Sequence, residues 1–297
     1  MRRTVLPIVL AALALGPVAA AAADPAKPGR FPVGVTTVAA VDASRDRSLP
    51  TEIWYPAKTA ERNAVPRAGR YPLILMAHGF CGSRTNYEYL TAHLASWGFM
   101  VAAPDFVGLT DEACAAHAVS IGPDVPPVDL SFVCRLLHDT SGPMVKWAAH
   151  VRGIPTGLVG HSLGGYAVVE AAKQDPSFTA IVPLAPAEQG PDLAAAHRPH
   201  MVMGGTADAT VPFDGWTVPF FDGLAAPKFL VRIAGGTHSG FTDVDAGLSP
   251  AALAAQETVV KREATAFFVR YLAHKAKLGR WLRTSDDGTV AITARPK

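Results

Sequence analysis

Thr156-Gly157-Leu158-Val159-Gly160-His161-Ser162-Leu163-Gly164-Gly165 decides how this chain is read. Residues 156–159 make an apolar strand, the next five residues match G-x-S-x-G, and a helix is expected over 164–173. A serine between such a strand and helix sits in a strained turn with its hydroxyl projecting above the sheet. The flanking glycines are needed because a Cβ would collide where strand and helix approach, and Gly165 lets the helix pack closely.

A serine hydroxyl is a weak nucleophile until a base takes its proton and a third group orients the base. Both partners are expected downstream, each just past the carboxyl end of a strand. Strands are expected over 200–203 and 228–233; Asp208 follows the first after Gly204-Gly205, and His238 follows the second after Gly235-Gly236. The order Ser162, Asp208, His238 is the one such a turn calls for. Asp214 and Asp222 compete with Asp208 but lie farther from the strand end. His197 and His200 precede a strand and read as structural, and His161 is expected to turn away from the serine's target and pack against neighbouring strands. Negative charge on a substrate oxygen also needs N–H donors. Leu163, at the helix start, supplies one; Phe80, in His78-Gly79-Phe80-Cys81-Gly82, supplies the other.

Around this centre strands and helices alternate. Residues 35–41 and 51–55 read as early strands, 72–77 as a strand buried on both faces, 86–97 as a helix ended by Gly98, and 99–103 as the next strand. Residues 129–150 are helical with a break at Gly142-Pro143, 180–184 form a strand, and 254–277 form a closing helix. Asp287-Gly288 marks the turn of a hairpin in the tail, 281–297. Residues 106–127, rich in Pro, Gly and Ala, read as a loop or small lid. The pattern is α/β: a doubly wound, mostly parallel sheet with helices on both faces, in a single domain over 24–297.

The set His78-Gly79-Phe80, Gly160-His161-Ser162-Leu163-Gly164-Gly165, Asp208 before Val211-Pro212, and His238 resembles the α/β-hydrolase superfamily over nearly all of the chain. More narrowly, Glu52-Ile53-Trp54-Tyr55-Pro56 and Val128-Asp129-Leu130-Ser131-Phe132 resemble the platelet-activating-factor acetylhydrolase, dienelactone hydrolase and chlorophyllase-like esterases. Ile181-Val182-Pro183-Leu184-Ala185-Pro186 is similar to bacterial cutinases and polyester hydrolases. Two departures separate this chain from cutinases: Ala187 stands where they carry an aromatic residue, and no cysteine is available for their C-terminal disulfide. The resemblance implies a serine carboxylic-ester hydrolase working through an acyl-enzyme without metal or organic cofactor. Ala187 directs the expectation to small, short-acyl esters. Cutinase or lipase action, acyl transfer to an alcohol, and a non-catalytic binding protein on this scaffold are the rivals.

Residues 1–23 read as a secretory signal: basic Arg2-Arg3, an apolar stretch over 5–15, then small residues 19–23. Pro7, Gly16 and Pro17 interrupt the apolar stretch, which is short for a membrane anchor. Lys and Arg total 27 against 25 Asp and Glu; without Arg2 and Arg3 the charges balance. With no basic run, nucleic acid and anionic membrane surfaces are not expected partners. An exported chain can oxidise its thiols, and of Cys81, Cys114 and Cys134 the expected pair is Cys114–Cys134, closing the loop segment onto the following helix.

Overall fold

The computed structural model describes residues 23–187, 190, 192–244 and 247–296. The expected signal segment, apart from Ala23, lies outside the described residues. The layers follow from alternation in the short apolar strands. In β3 (Leu73–Ala77), Leu73, Leu75 and Ala77 join one hydrophobic core while Ile74 and Met76 join another on the opposite face. In β5 (Thr156–His161), Leu158 and Val159 divide in the same way. A strand with both faces buried is central to a sheet covered by helices on each side.

With β1 (Val33–Asp42), β2 (Arg47–Pro56), β4 (Met100–Pro104), β6 (Phe178–Leu184), β7 (His200–Gly205), β8 (Lys228–Ile233), β9 (Ser285–Asp286) and β10 (Val290–Arg295), the sheet has the order β1-β2-β4-β3-β5-β6-β7-β8-β10-β9. The six strands from β4 to β8 in that order are parallel, and the strands at both edges are antiparallel. Helices α1 (Glu88–Ser96) and α7 (Pro250–Tyr271) bury Leu90, Leu94, Val260, Phe267 and Phe268 on one face. On the other face lie α3 (Val125–His138), α4 (Val145–Val151), α5 (Leu163–Gln174) and α6 (Val218–Gly223), with Leu130, Trp147, Val168 and Phe220 in the core. This is the doubly wound α/β architecture expected from the sequence.

Some boundaries move for physical reasons. Helix α7 starts four residues early because Ser249 accepts a hydrogen bond from the Ala252 N–H and Pro250 occupies the first turn. It stops at Tyr271, before a seven-residue 3-10 segment, Ala276–Leu282, that buries Leu278 and Leu282. The tail hairpin forms, and its second strand is a full member of the sheet: β10 pairs with β8 from Val290↔Ile233 to Arg295↔Lys228 and buries Val290 and Ile292. Asp129, fully buried on α3, holds Arg45 and Arg47 at 2.7 and 2.6 Å and ties the β1–β2 turn to that helix.

The cysteine pairing differs from expectation. The disulfide joins Cys81 to Cys114, and Cys134 is free and buried. The register of α3 turns Cys134 into the core, with Sγ 3.8 Å from Thr156 Oγ1. Cys114 lies on α2 (Asp111–Ala115), which a parallel bridge between Gly82 and Thr110 brings beside the loop after β3. Phe106 and Leu109 are buried and anchor the front of the expected lid segment, while Pro126 and Pro127 fall inside α3.

Candidate active site

Ser162 lies between β5 and α5 with φ 57° and ψ −122°, a backbone region that residues with a Cβ rarely occupy. Sterics enforce the turn. A Cβ on Gly160 would stand 2.2 Å from the Gly164 carbonyl oxygen, and one on Gly164 would stand 2.2 Å from that of Ala77. Four backbone hydrogen bonds hold the serine. Its N–H donates to Leu184 O at 2.9 Å, and its carbonyl accepts from Gly165, Tyr166 and Ala187 at 2.9, 3.2 and 3.0 Å. The residue remains 9% exposed, enough for its hydroxyl to be reached.

Asp208 and His238 arrive from β7 and β8. The loops after these strands touch at Gly205 and Gly236, where a Cβ on Gly205 would lie 2.2 Å from the Gly236 oxygen. That approach brings Asp208 Oδ2 within 2.8 Å of His238 Nδ1. The other carboxylate oxygen accepts from the N–H groups of Thr210 and Val211 at 2.9 and 2.7 Å, so the buried acid is fully engaged. No hydrogen bond joins Ser162 Oγ to His238 among the described residues. Such contacts are often long before substrate binds. The histidine is nonetheless at the elbow, because its ring centre is 4.5 Å from that of His161, the residue preceding Ser162.

The loop 79–82 covers the serine from the other side: a Cβ on Gly79 would meet Ser162 Cβ at 3.0 Å and Oγ at 3.6 Å. The N–H groups of Phe80 and Leu163 have no acceptor among the described residues. The Gly79 carbonyl accepts from the Gly82 N–H at 3.1 Å and lies 2.8 Å from His78 Nδ1. Because His78 Nε2 accepts from the Phe106 N–H at 2.9 Å, Nδ1 carries the proton and donates to Gly79. In a trans peptide the C=O and the following N–H point in opposite directions, so fixing the Gly79 carbonyl also fixes the direction of the Phe80 N–H. Asp214 sits in the one-turn helix Phe213–Thr217 and Asp222 pairs with Arg295, both away from His238's partner position. His200 is fully buried and His197 is exposed.

Two residues that sequence reasoning passed over, Tyr87 and Gln256, hold these parts together with His161. Tyr87, buried on the approach to α1, accepts from the Gly79 N–H at 3.1 Å and lies 3.2 Å from His161 Nδ1. Gln256 on α7 brackets the residue before His238: its Oε1 accepts from the Thr237 N–H at 3.0 Å and its Nε2 donates to the Thr237 carbonyl at 2.9 Å. The signal for Gln256 is a polar residue on the helix stripe that also carries Val259, Val260 and Glu263. His161 packs against Tyr87, Phe241 and His238; burial, and then the neighbouring His238, push its pKa well below the usual range and keep the ring neutral. Among the described residues no group of His, Cys, Asp and Glu is placed to hold a metal ion.

Comparison with known proteins gives a consistent outcome. A family model described as PET hydrolase-like matches residues 10–256. A bis(hydroxyethyl) terephthalate hydrolase of Streptomyces coelicolor is 27% identical over 188 residues, covering 63% of this chain and 54% of that protein. A cutinase of Thermobifida cellulosilytica is 24% identical over 57% of this chain and 60% of its own length, and one of Thermobifida alba is 26% identical over 57% and 53%. The chain thus spans little more than half the length of these relatives.

Proposed function

Because the chain belongs to the PET hydrolase-like family, we propose that it is an exported serine hydrolase of carboxylic esters, acting through an acyl-enzyme on Ser162. His238 donates its Nδ1 proton to Asp208, which leaves Nε2 as the base for the Ser162 hydroxyl. The hydroxyl oxygen attacks the ester carbonyl, and the oxyanion settles between the N–H groups of Phe80 and Leu163. Collapse expels the alcohol, protonated by His238; water, deprotonated by the same ring, then releases the acid. The observation that carries this reading is the 2.8 Å contact between His238 and an Asp208 whose second oxygen is taken up by two backbone N–H groups. An acid so anchored orients the ring without moving. The Cys81–Cys114 disulfide supports export to an oxidising compartment. Among the described residues no helix is long and apolar enough to cross a membrane.

The substrates are small, soluble esters. Ala187 offers no stacking surface on the side of the elbow to which its N–H is tied. A missing aromatic contact weakens the grip on a repeating aromatic polymer by about 0.5–1.5 kcal/mol per stack. The test compares kcat/KM for butyrate and palmitate esters of one alcohol and for bis(hydroxyethyl) terephthalate, alongside release from a polyester film. Butyrate and the soluble diester should lead. Preference for palmitate, or film release that keeps pace with the soluble esters, would contradict it.

A further inference from the structure

The loop that carries the Phe80 N–H is closed on its far side by a covalent bond. Cys81 follows Phe80 directly and has φ 54°, a left-handed conformation that a residue with a Cβ keeps only where its surroundings hold it. What surrounds it is the segment 106–115. The Cys81 N–H donates to Leu109 O at 3.0 Å, the Asp111 N–H donates to Gly82 O at 3.2 Å, and the disulfide runs to Cys114 on α2. Helix α2 has five residues, none of them buried, so it has no core of its own to keep it in place. The main core, by contrast, contains neither cysteine of the pair.

We propose that the Cys81–Cys114 disulfide is a positioning device for the oxyanion donor: it locks α2 against loop 79–82 and so holds the Phe80 N–H in its catalytic direction. This rests on the esterase reading above. With the bond intact, the left-handed turn at Cys81 and the locked Gly79–Phe80 peptide are maintained together. With it opened, α2 keeps only backbone contacts to the loop and the left-handed turn at Cys81 relaxes; the hydrogen bonds of Gly79 alone then hold the Phe80 N–H less tightly to its aim, while the fold and the substrate's ground-state contacts stay. The chain is then a slow enzyme until it reaches an oxidising compartment.

The test is reduction of the native protein. Dithiothreitol attacks the disulfide, leaves two protein thiols and is itself oxidised to its cyclic disulfide; alkylation of Cys81 and Cys114 then traps the open form. The Cys81→Ser/Cys114→Ser double variant gives the same state without reductant. Losing a donor outright costs about 10²–10³ in kcat, so a misdirected one should lower kcat by about 10–100-fold. KM for a butyrate ester should stay within about twofold, since the interaction is made in the transition state. Affinity for an alkyl boronic acid, whose adduct on Ser162 places an oxygen in the same hole, should fall in parallel. Reoxidation of the unalkylated protein should restore kcat. Unchanged kcat with both thiols alkylated would overturn the proposal. So would a rise in KM at constant kcat, or loss of the near-UV circular dichroism on reduction, which would make the bond a fold determinant. A native protein that takes no fluorophosphonate label would refute the esterase itself, whereas a labelled protein indifferent to reduction refutes only the clamp.

Discussion

Replacing Tyr87 by Phe removes one oxygen from the centre of the site and keeps the ring. That oxygen is buried, accepts the Gly79 N–H at 3.1 Å and faces His161 Nδ1 at 3.2 Å. Burial holds His161 neutral, so its Nδ1 can accept the phenol proton, and the phenol itself is pushed above its ordinary range by the same burial. The substitution leaves a buried N–H and a buried ring nitrogen without partners. Each such group costs about 1–3 kcal/mol, so a loss of about 2–4 kcal/mol of stability is expected after relaxation. For a domain of this size that is a Tm lower by about 5–10 °C. Because Gly79 shares its peptide with the Phe80 N–H, the proposed oxyanion donor, the loop also loosens, and kcat for a butyrate ester should fall about tenfold with KM little changed. Calorimetry and steady-state kinetics on Tyr87→Phe read both effects. A Tm within about 1 °C of the parent together with an unchanged kcat would refute the network.

Asp208→Asn keeps an oxygen for the Thr210 and Val211 N–H groups but turns an amide N–H toward His238, selecting the wrong ring tautomer; kcat should fall about 10⁴-fold while Tm holds, and a loss under tenfold would speak against the assignment. Gly164→Ala sets a Cβ 2.2 Å from one backbone oxygen and 2.6 Å from another, so α5 must lift from β3; urea unfolding should show a loss of about 3 kcal/mol or more, with turnover lost as well. Glu263, fully buried beside Arg262, has its carboxyl pushed up to about 7 by burial. Its folded pKa lies above the unfolded value, so its stabilising contribution is full below about pH 4.5 and is lost as pH rises through about 7. Glu263→Gln cannot ionise; between pH 5 and pH 8 the stability difference should move in the variant's favour by about 2–3 kcal/mol, and a difference independent of pH would contradict this.

What was legible in the sequence was local or ordered along the chain. The turn at Ser162 is dictated by backbone collisions, of Gly160 with the Gly164 carbonyl inside the turn and of Gly164 with the carbonyls of Ala77 and His78 on the neighbouring strand end, and the two glycines of the motif announce it. The meeting of Asp208 and His238 follows from two strand ends and the glycines that let their loops touch. The cysteine pairing was not legible, because the spacing of 114 and 134 says nothing of the register of α3, which turns Cys134 against Thr156. Nor does spacing reveal that a bridge at Gly82 and Thr110 carries Cys114 toward Cys81. Tyr87 acts through its hydroxyl and Gln256 through its side-chain amide, each on an otherwise apolar surface, and their partners, Gly79 and Thr237, offer backbone groups that no residue type marks. His161 was expected to pack among strands; it does pack, and one of the rings it packs against is that of His238.

The central claim is a covalent intermediate on Ser162, and its most direct measurement is the site of fluorophosphonate labelling, read by intact mass and peptide mapping of the folded protein. A single adduct is predicted, on Ser162, absent from Ser162→Ala and formed far more slowly by Asp208→Asn. A folded protein that takes no label, or takes it on any residue other than Ser162, would contradict the account.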